Sequence, residues 1–346
     1  MYKTWVEIDS SALRGNFRFF QKWVGPKVTM MVVIKSNAYG HGILETAQIL
    51  SGDKNTIFGV DSLDEALFLK NNRITNSILI LGYIPQLRIA EAIKNNFHIS
   101  IYSKALLELL QKSNGTFHLK IETGTNRLGI NPEALSAIKK FPKIAGVYTH
   151  FADVENTQSS FYKTQLKILN QAIAVLDSQG IVPEFIHSAS TAGILRNPET
   201  HFNLVRLGIG LYTKPRPVLN WKTKIAQIKF VNKEETVGYD RTFRAKQKIK
   251  IAVLPVGYGD GYDRKLSNRG EVLIHGRPAC VLGRVCMNMM MVDVSKIPGA
   301  KVGDTVTLLG ISGNKNIFAD TIAKKIGTIN YEILTRINPL IPRIII

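Results

Sequence analysis

Two hydrophobic rhythms alternate along the first two thirds of the chain. Short apolar runs at 28–34, 57–60, 78–81, 98–101, 117–121, 144–148, 184–187 and 204–207 are too brief for ordinary helices and read as buried strands. Helix-like segments follow seven of them, at 43–50, 62–67, 87–94, 104–112, 133–139, 160–178 and 191–195. Ser62 and Glu65 open the second with a capping-box pattern. Strands alternating with helices at this period predict parallel pairing through helical crossovers, and eight of them predict a closed (β/α)8, TIM-like barrel. An open doubly wound sheet is the alternative. It would normally carry a glycine-rich fingerprint after its first strand, and neither G-x-G-x-x-G nor a P-loop occurs. From about Lys224 the texture changes. Alternating runs at 225–231, 249–253, 272–274, 289–294 and 305–309, separated by Gly, Pro, Asn and Asp, predict a small, mostly β domain. One helix is expected over 321–326, and an extended, proline-interrupted tail from 330. The expected division is a barrel domain over 1–225 and a C-terminal β domain over 226–346.

Composition narrows the class. The chain has 346 residues, 45% hydrophobic and 21% charged, which suits two globular domains. No apolar run reaches the roughly eighteen residues of a membrane helix, and the first residues lack a signal-peptide core. A cytoplasmic protein is expected. Cys280 and Cys286 read as a reduced pair, and no Cys/His spacing matches a metal site, so no metal is expected. The net charge of +19 raises the question of nucleic acid. The basic residues are spread along the chain, and their densest stretch, 214–250, lacks the stacking aromatics of single-strand binders. No nucleic-acid role is expected. The field would instead attract small anions such as a phosphate.

In a barrel of this kind, side chains that do chemistry sit at the C-terminal ends of the strands. Those ends carry Lys35, Arg127, His150, His187 and Arg206. A lysine closing a buried strand is expected in apolar surroundings that disfavour its ammonium form, and a free amine forms a Schiff base with an aldehyde. A strand-end lysine that merely reaches solvent is the plainer reading of Lys35 alone. Lys35 together with two imidazoles and two guanidiniums on one rim points to a site for a phosphate-sized anion.

Lys35-Ser36-Asn37-Ala38-Tyr39-Gly40-His41-Gly42 closely resembles the pyridoxal-phosphate (PLP) signature of alanine racemases, and the likeness runs in separated blocks from Thr4 to Arg343. The resemblance implies that Lys35 carries PLP as a Schiff base and is one of two catalytic bases, with Tyr39 on the cofactor phosphate. The stretch from Lys120 to Gly129 resembles the block in which a lysine, often carbamylated, orients an arginine. Arg127 would then bind the substrate carboxylate, as a guanidinium fork suits. Thr125-Asn126 stands where the family usually has Met-Gly. His150, in Tyr148-Thr149-His150-Phe151-Ala152, matches a histidine linking the catalytic tyrosine to the cofactor-side arginine. Thr191 takes the place of a phosphate-binding serine, and Gly208 and Ile209 match backbone phosphate donors. Arg206 matches the arginine facing the pyridine nitrogen. An arginine only donates, so that nitrogen would stay unprotonated and a weak electron sink.

In the β domain the resemblance makes Tyr239 the second base, its phenolate stabilised by Arg127 and the His150–Arg206 pair. Tyr258 would line the entry, and Met287 would meet the substrate carboxylate through its backbone. Asn288 replaces the usual aspartate of that block. Pro339 stands where many members carry a tyrosine that narrows the entry, which predicts a wider pocket and turnover of serine. The family implies a head-to-tail homodimer with shared sites, alanine as substrate, and D-alanine for peptidoglycan. Three alternatives remain. One is a racemase of broader specificity. Another is a PLP decarboxylase of the same architecture, which would need a carboxylate at the ring nitrogen. The third is a non-catalytic PLP-binding protein, whose known single-barrel forms lack the β domain.

Overall fold

The computed structural model describes residues 2–53 and 55–346. Two compact units divide the chain. One runs to Leu13 and adds Ser36–Thr46 and Tyr212–Ile346; the other comprises Arg14–Lys35 and Ala47–Leu211.

The second unit is the barrel that the alternation predicts. Its eight parallel strands are Thr29–Val33, Ile57–Val60, Ile78–Ile80, His98–Ile101, Thr116–Lys120, Ile144–Tyr148, Phe185–His187 and Leu204–Leu207. They pair in chain order, and the last returns to the first. The seventh and eighth share no ladder. Their seam is held by the Arg206 N–H on Ala189 O at 3.0 Å, and by the Asn203 side chain. That amide accepts from Ile186 N at 2.8 Å and donates to Glu184 O at 2.6 Å. The strands are Val-, Ile- and Leu-rich because helices cover their outer face while side chains fill the interior. Met31, Ile57, Leu79 and Leu204 form one apolar interior cluster. Seven positions expected to be helical are so, with two changes of type. Gln86–Arg88 is a 3-10 turn leading into Ile89–Lys94. Pro132–Ala137 is a 3-10 helix, opened by Pro132 and by Asn131 accepting from Glu133 N–H. Ser62 does cap Glu65 N–H at 3.2 Å, but the Glu65 carboxylate also takes the Asp61 N–H at 2.7 Å.

The other unit is built on a ten-stranded sheet. Its order is Gln227–Val231, Ile249–Leu254, Met290–Asp293, Arg277–Leu282, Glu271–Ile274, Thr305–Ser312, Leu219–Lys224, Thr4–Ile8 and Arg343–Ile345, with Lys315–Ile317 beside Thr305–Ser312. All pairs are antiparallel except Thr4–Ile8 with Arg343–Ile345. The tail expected to be extended contains a helix, Asn330–Thr335, whose Ile333 and Leu334 are buried, and only then a strand. Among the strands with no forecast are Thr4–Ile8 and Leu219–Lys224. Each alternates buried and half-buried positions, the mark of a sheet with one covered face. Among the described residues no helix is long and apolar enough to cross a membrane.

Candidate functional site

The barrel interior turns polar toward the C-terminal strand ends. Arg206, almost fully buried, is the hub. Its Nη2 donates to Thr149 O at 2.7 Å, Ser188 O at 3.0 Å and His150 Nδ1 at 3.3 Å. Its Nη1 donates to His187 Nδ1 at 2.9 Å and His187 O at 3.1 Å. The Tyr148 ring lies under the guanidinium at 5.3 Å and stacks on His187 at 4.6 Å, and Lys120 Nζ sits 5.7 Å from the same ring. Burial pushes the Tyr148 phenol up to about 12, so it stays a donor, to Ser100 Oγ at 2.8 Å.

The charges here are lopsided. Burial, then Arg206, Arg127, Lys120 and Lys35 in that order, hold the His150 imidazole down to about 3. Burial and the charges of Arg127, Arg206 and Lys35 bring the Lys120 ammonium down to about 8. Glu122 is spent on its own loop: it accepts the N–H groups of Gly124 at 2.6 Å, Asn126 at 2.9 Å and Arg127 at 3.2 Å. Burial alone would raise Glu122, but those donors lower it below the usual range. Asp61 Oδ1 accepts from Lys35 Nζ at 3.0 Å. Lys35 therefore departs from the apolar setting expected of it: its side chain is 39% exposed and ion-paired.

The loop carrying Arg127 explains an unusual residue. Asn126 has φ 53°, a left-handed conformation that glycine adopts without cost and asparagine tolerates. Thr125 ties the loop down by donating to His150 O at 2.6 Å. Across the barrel end, Thr191 opens the helix Thr191–Arg196 and accepts the Gly210 N–H at 3.2 Å. A Cβ at Gly210 would come within 2.4 Å of the Thr191 methyl and 2.9 Å of Phe20. Gly208 and Ile209 lie between this glycine and the last strand.

After Lys35 the chain makes a left-handed turn. Ser36, Asn37, Ala38 and Tyr39 all have φ between 52° and 54°, strain of about 1–2 kcal/mol per residue. Contacts within the sheet-containing unit, to which the turn belongs, hold it. Asn37 Oδ1 accepts Ile43 N–H at 2.9 Å, and Arg343 donates to Gly40 O at 3.0 and 3.2 Å. The Tyr39 ring meets Tyr212 at 5.5 Å and Tyr331 at 5.9 Å.

The other predicted residues of this unit form a cluster of exposed side chains. Tyr239, Tyr258 and Met287 are 70%, 43% and 58% exposed. Their loops are bonded together: Tyr258 N–H donates to Cys286 O at 3.0 Å, Gly259 N–H to Met287 O at 2.8 Å, and Arg284 pairs with Asp240 at 3.3 Å. Asn288 donates to the buried Asp260 carboxylate at 3.4 Å, so an amide stands where two carboxylates would repel. Pro339 is exposed in a turn whose Asn338 bonds back to Gly259 O and Asp260 O.

Lys35, Lys120, Arg127, His150, His187 and Arg206 thus come together in the barrel unit, with Thr191, Gly208 and Ile209. Tyr39, Tyr239, Tyr258 and Met287 belong to the other unit. Asp61 was overlooked, although reading the end of the 57–60 run would have found it. Tyr148, His118 and His98 were overlooked because nothing local distinguishes an inward-facing polar residue in a strand. Among the described residues no group of three or more His, Cys, Asp or Glu could hold a metal ion.

Comparison with known proteins gives concordant results. A family model described as "Alanine racemase, N-terminal domain" matches residues 8–215, and one described as "Alanine racemase, C-terminal domain" matches 218–345. The chain is 38% identical to the alanine racemase of Carboxydothermus hydrogenoformans over 99% of this chain and 100% of that one. It is 35% identical to that of Methanococcus maripaludis over 98% of each. Among solved structures, alanine racemase from Clostridium difficile 630 superposes with a TM-score of 0.94 at 32% identity, over 100% of this chain and 96% of that one. The alanine racemase of Bacillus anthracis, solved with L-Ala-P bound, gives 0.92 at 33%, with the same coverage.

Proposed function

The chain belongs to the alanine racemase family of PLP-dependent isomerases, and from that premise we propose that it interconverts L- and D-alanine with its own two bases, Lys35 and Tyr239. One observation carries the assignment of the site: four cations, Lys35, Lys120, Arg127 and Arg206, act on one neutral imidazole, His150, while the carboxylates of Asp61 and Glu122 are already engaged. Such a donor set calls for bound anions, and PLP with an amino-acid carboxylate supplies them. Gly210, where a Cβ would strike the Thr191 methyl, lets Thr191 pack against the turn that carries the backbone N–H groups of Gly208 and Ile209, and that pairing would take the phosphate.

Lys35 would hold PLP through Nζ, with Tyr39, Thr191, Gly208 and Ile209 on its phosphate and Arg206 at its ring nitrogen. Bound there, PLP supplies the electron withdrawal that makes the substrate Cα–H acidic. Arg206 has no acceptor, so the nitrogen it meets must accept and stays unprotonated. Arg127 clamps the substrate carboxylate, with the Met287 backbone as a further donor and Tyr258 along the entry. A base on one side of the substrate plane cannot readily serve the other, so two are needed. Tyr239 Oη serves the L face and Lys35 Nζ the D face; one removes the α-proton and the other returns one. The exposure of Tyr239, Tyr258 and Met287 on one cluster of loops supports a head-to-tail homodimer in which they complete the partner subunit's site. D-alanine made in the cytoplasm would supply peptidoglycan.

Racemisation of L-alanine by the purified protein with added PLP tests this reading. The expected result is turnover by the wild type, none by Lys35→Ala, and a Tyr239→Phe variant impaired mainly from the L side. PLP bound through Lys35 without alanine turnover would refute the substrate assignment. The exposed Pro339 favours a second reading, a broader racemase, which faster turnover of serine than of alanine would establish.

A further inference from the structure

Three histidines inside the barrel form a line that the reaction scheme leaves unused. His187 Nε2 lies 3.0 Å from His118 Nδ1, and His118 Nε2 lies 3.1 Å from His98 Nδ1. The line begins at Arg206, whose Nη1 is 2.9 Å from His187 Nδ1. It runs the length of the barrel. His187 ends its strand at the C-terminal side, whereas His98 begins its own and lines an open cleft of about 470 Å³ with Thr29, Ile57, Ser77 and Glu184.

The protons along this line are countable. A guanidinium donates only, so His187 Nδ1 must accept. A neutral imidazole then carries its proton on Nε2, which donates to His118 Nδ1. The same count puts the His118 proton on Nε2 and makes His98 Nδ1 an acceptor. Every bond therefore points away from Arg206, and one charged group at the mouth sets three tautomers. Burial first, then His98 and Arg206 for His118, and Arg206 and His118 for His187, keep both well below the usual imidazole range, so neither becomes a second donor facing the arginine. Packing holds the rings in place. Both are fully buried; Tyr148 stacks on His187 at 6° and Phe185 on His118 at 10°. Gly146 makes the passage possible, because a Cβ there would sit 2.2 Å from His118 Nδ1.

We propose that His187, His118 and His98 are positioning residues, a one-directional chain of neutral imidazoles that anchors the Arg206 guanidinium from the far end of the barrel. It rests on the reading of Arg206 as the residue that meets the cofactor ring nitrogen. His118 touches neither Arg206 nor the mouth, yet it supplies the acceptor that keeps the His187 proton on Nε2. Without that acceptor the His187 proton is free to move to Nδ1, where it opposes the Arg206 N–H and displaces the guanidinium.

Nitrogen-15 NMR of histidine-labelled protein without PLP reads the tautomers directly. The expected spectrum shows His118 and His187 as neutral Nε2–H forms, unchanged between pH 5.5 and 8. An Nδ1–H form, or titration of either ring in that range, would overturn the proposal. His118→Phe keeps the ring and removes the acceptor. It should lower kcat about tenfold with little change in KM, and shift the absorbance of bound PLP. His118→Asn, whose amide oxygen restores an acceptor, should recover most of both. A folded His118→Phe variant with unchanged kcat and an unchanged His187 tautomer would also overturn it. Failure of the wild type to racemise alanine would refute the functional reading, whereas the tautomer pattern stands or falls in the protein without PLP.

Discussion

Lys120 is the residue whose environment makes the sharpest quantitative demand. It is buried beside Arg127, Arg206 and Lys35, and burial first, then those charges, brings its ammonium from 10.5 to about 8. At pH 7.5 about a quarter of the amine is then unprotonated, against about one part in a thousand for an ordinary lysine. Because the folded value lies below the unfolded one, the buried ammonium costs about 3 kcal/mol at neutral pH, a cost relieved as the pH rises from about 8 toward 10.5. Carbamylation removes it at once. The ammonium first loses a proton, the neutral nitrogen bonds to the carbon of CO2 as one C–O π pair moves onto oxygen, and a second proton leaves the nitrogen, so the charge goes from +1 to −1 among three cations. With 13C-bicarbonate at pH 7.5–8, NMR should show a single carbamate carbon per chain that Lys120→Ala lacks, together with a rise in thermal stability on adding bicarbonate. No carbamate signal, with Lys120 titrating near the ordinary lysine value, would refute the reasoning.

Three further outcomes follow from particular contacts. Pro339→Tyr should lower the rate on serine more than on alanine, as read by kcat/KM for each; equal effects would separate Pro339 from substrate choice. Asn288→Asp replaces a donor to the buried Asp260 with a second carboxylate. It should cost roughly 1–3 kcal/mol in urea unfolding at pH 7, and the deficit should shrink on acidification. Gly40→Ala forces a side chain into φ 85° with its Cβ 2.0 Å from Leu334 O. A loss of about 3 kcal/mol or more is expected, and a melting temperature within a degree or two of wild type would contradict that packing.

The barrel was readable because its signal is local. Each apolar run is a strand within a residue or two of its expected ends, since a strand covered on both faces must be apolar throughout. Lys35, His150, His187 and Arg206 were readable for a related reason: strand ends are where a barrel exposes its chemistry. Asn126 was legible only as a departure from a motif. The structure supplies its reason, a left-handed φ of 53°. The first strand was missed because Thr4–Ile8 is stable only between Leu219–Lys224 and Arg343–Ile345, segments more than two hundred residues away. The helix Asn330–Thr335 was missed because six residues are too few to show a period.

Hydrophobic period, turn residues and the types of side chain at strand ends are properties of neighbouring residues, and the sequence by itself determined the barrel, the mostly β second part and the cations of the mouth. Hydrogen-bond partners are decided by closure of the barrel. His118 and His187 are 69 positions apart, and Lys35 and Asp61 are 26. Each becomes a pair only when the strands lie side by side. Which imidazole nitrogen carries a proton is more distant still from the sequence. It depends on Arg206 donating at one end, on Gly146 leaving room for a ring, and on burial that excludes water from the line between them.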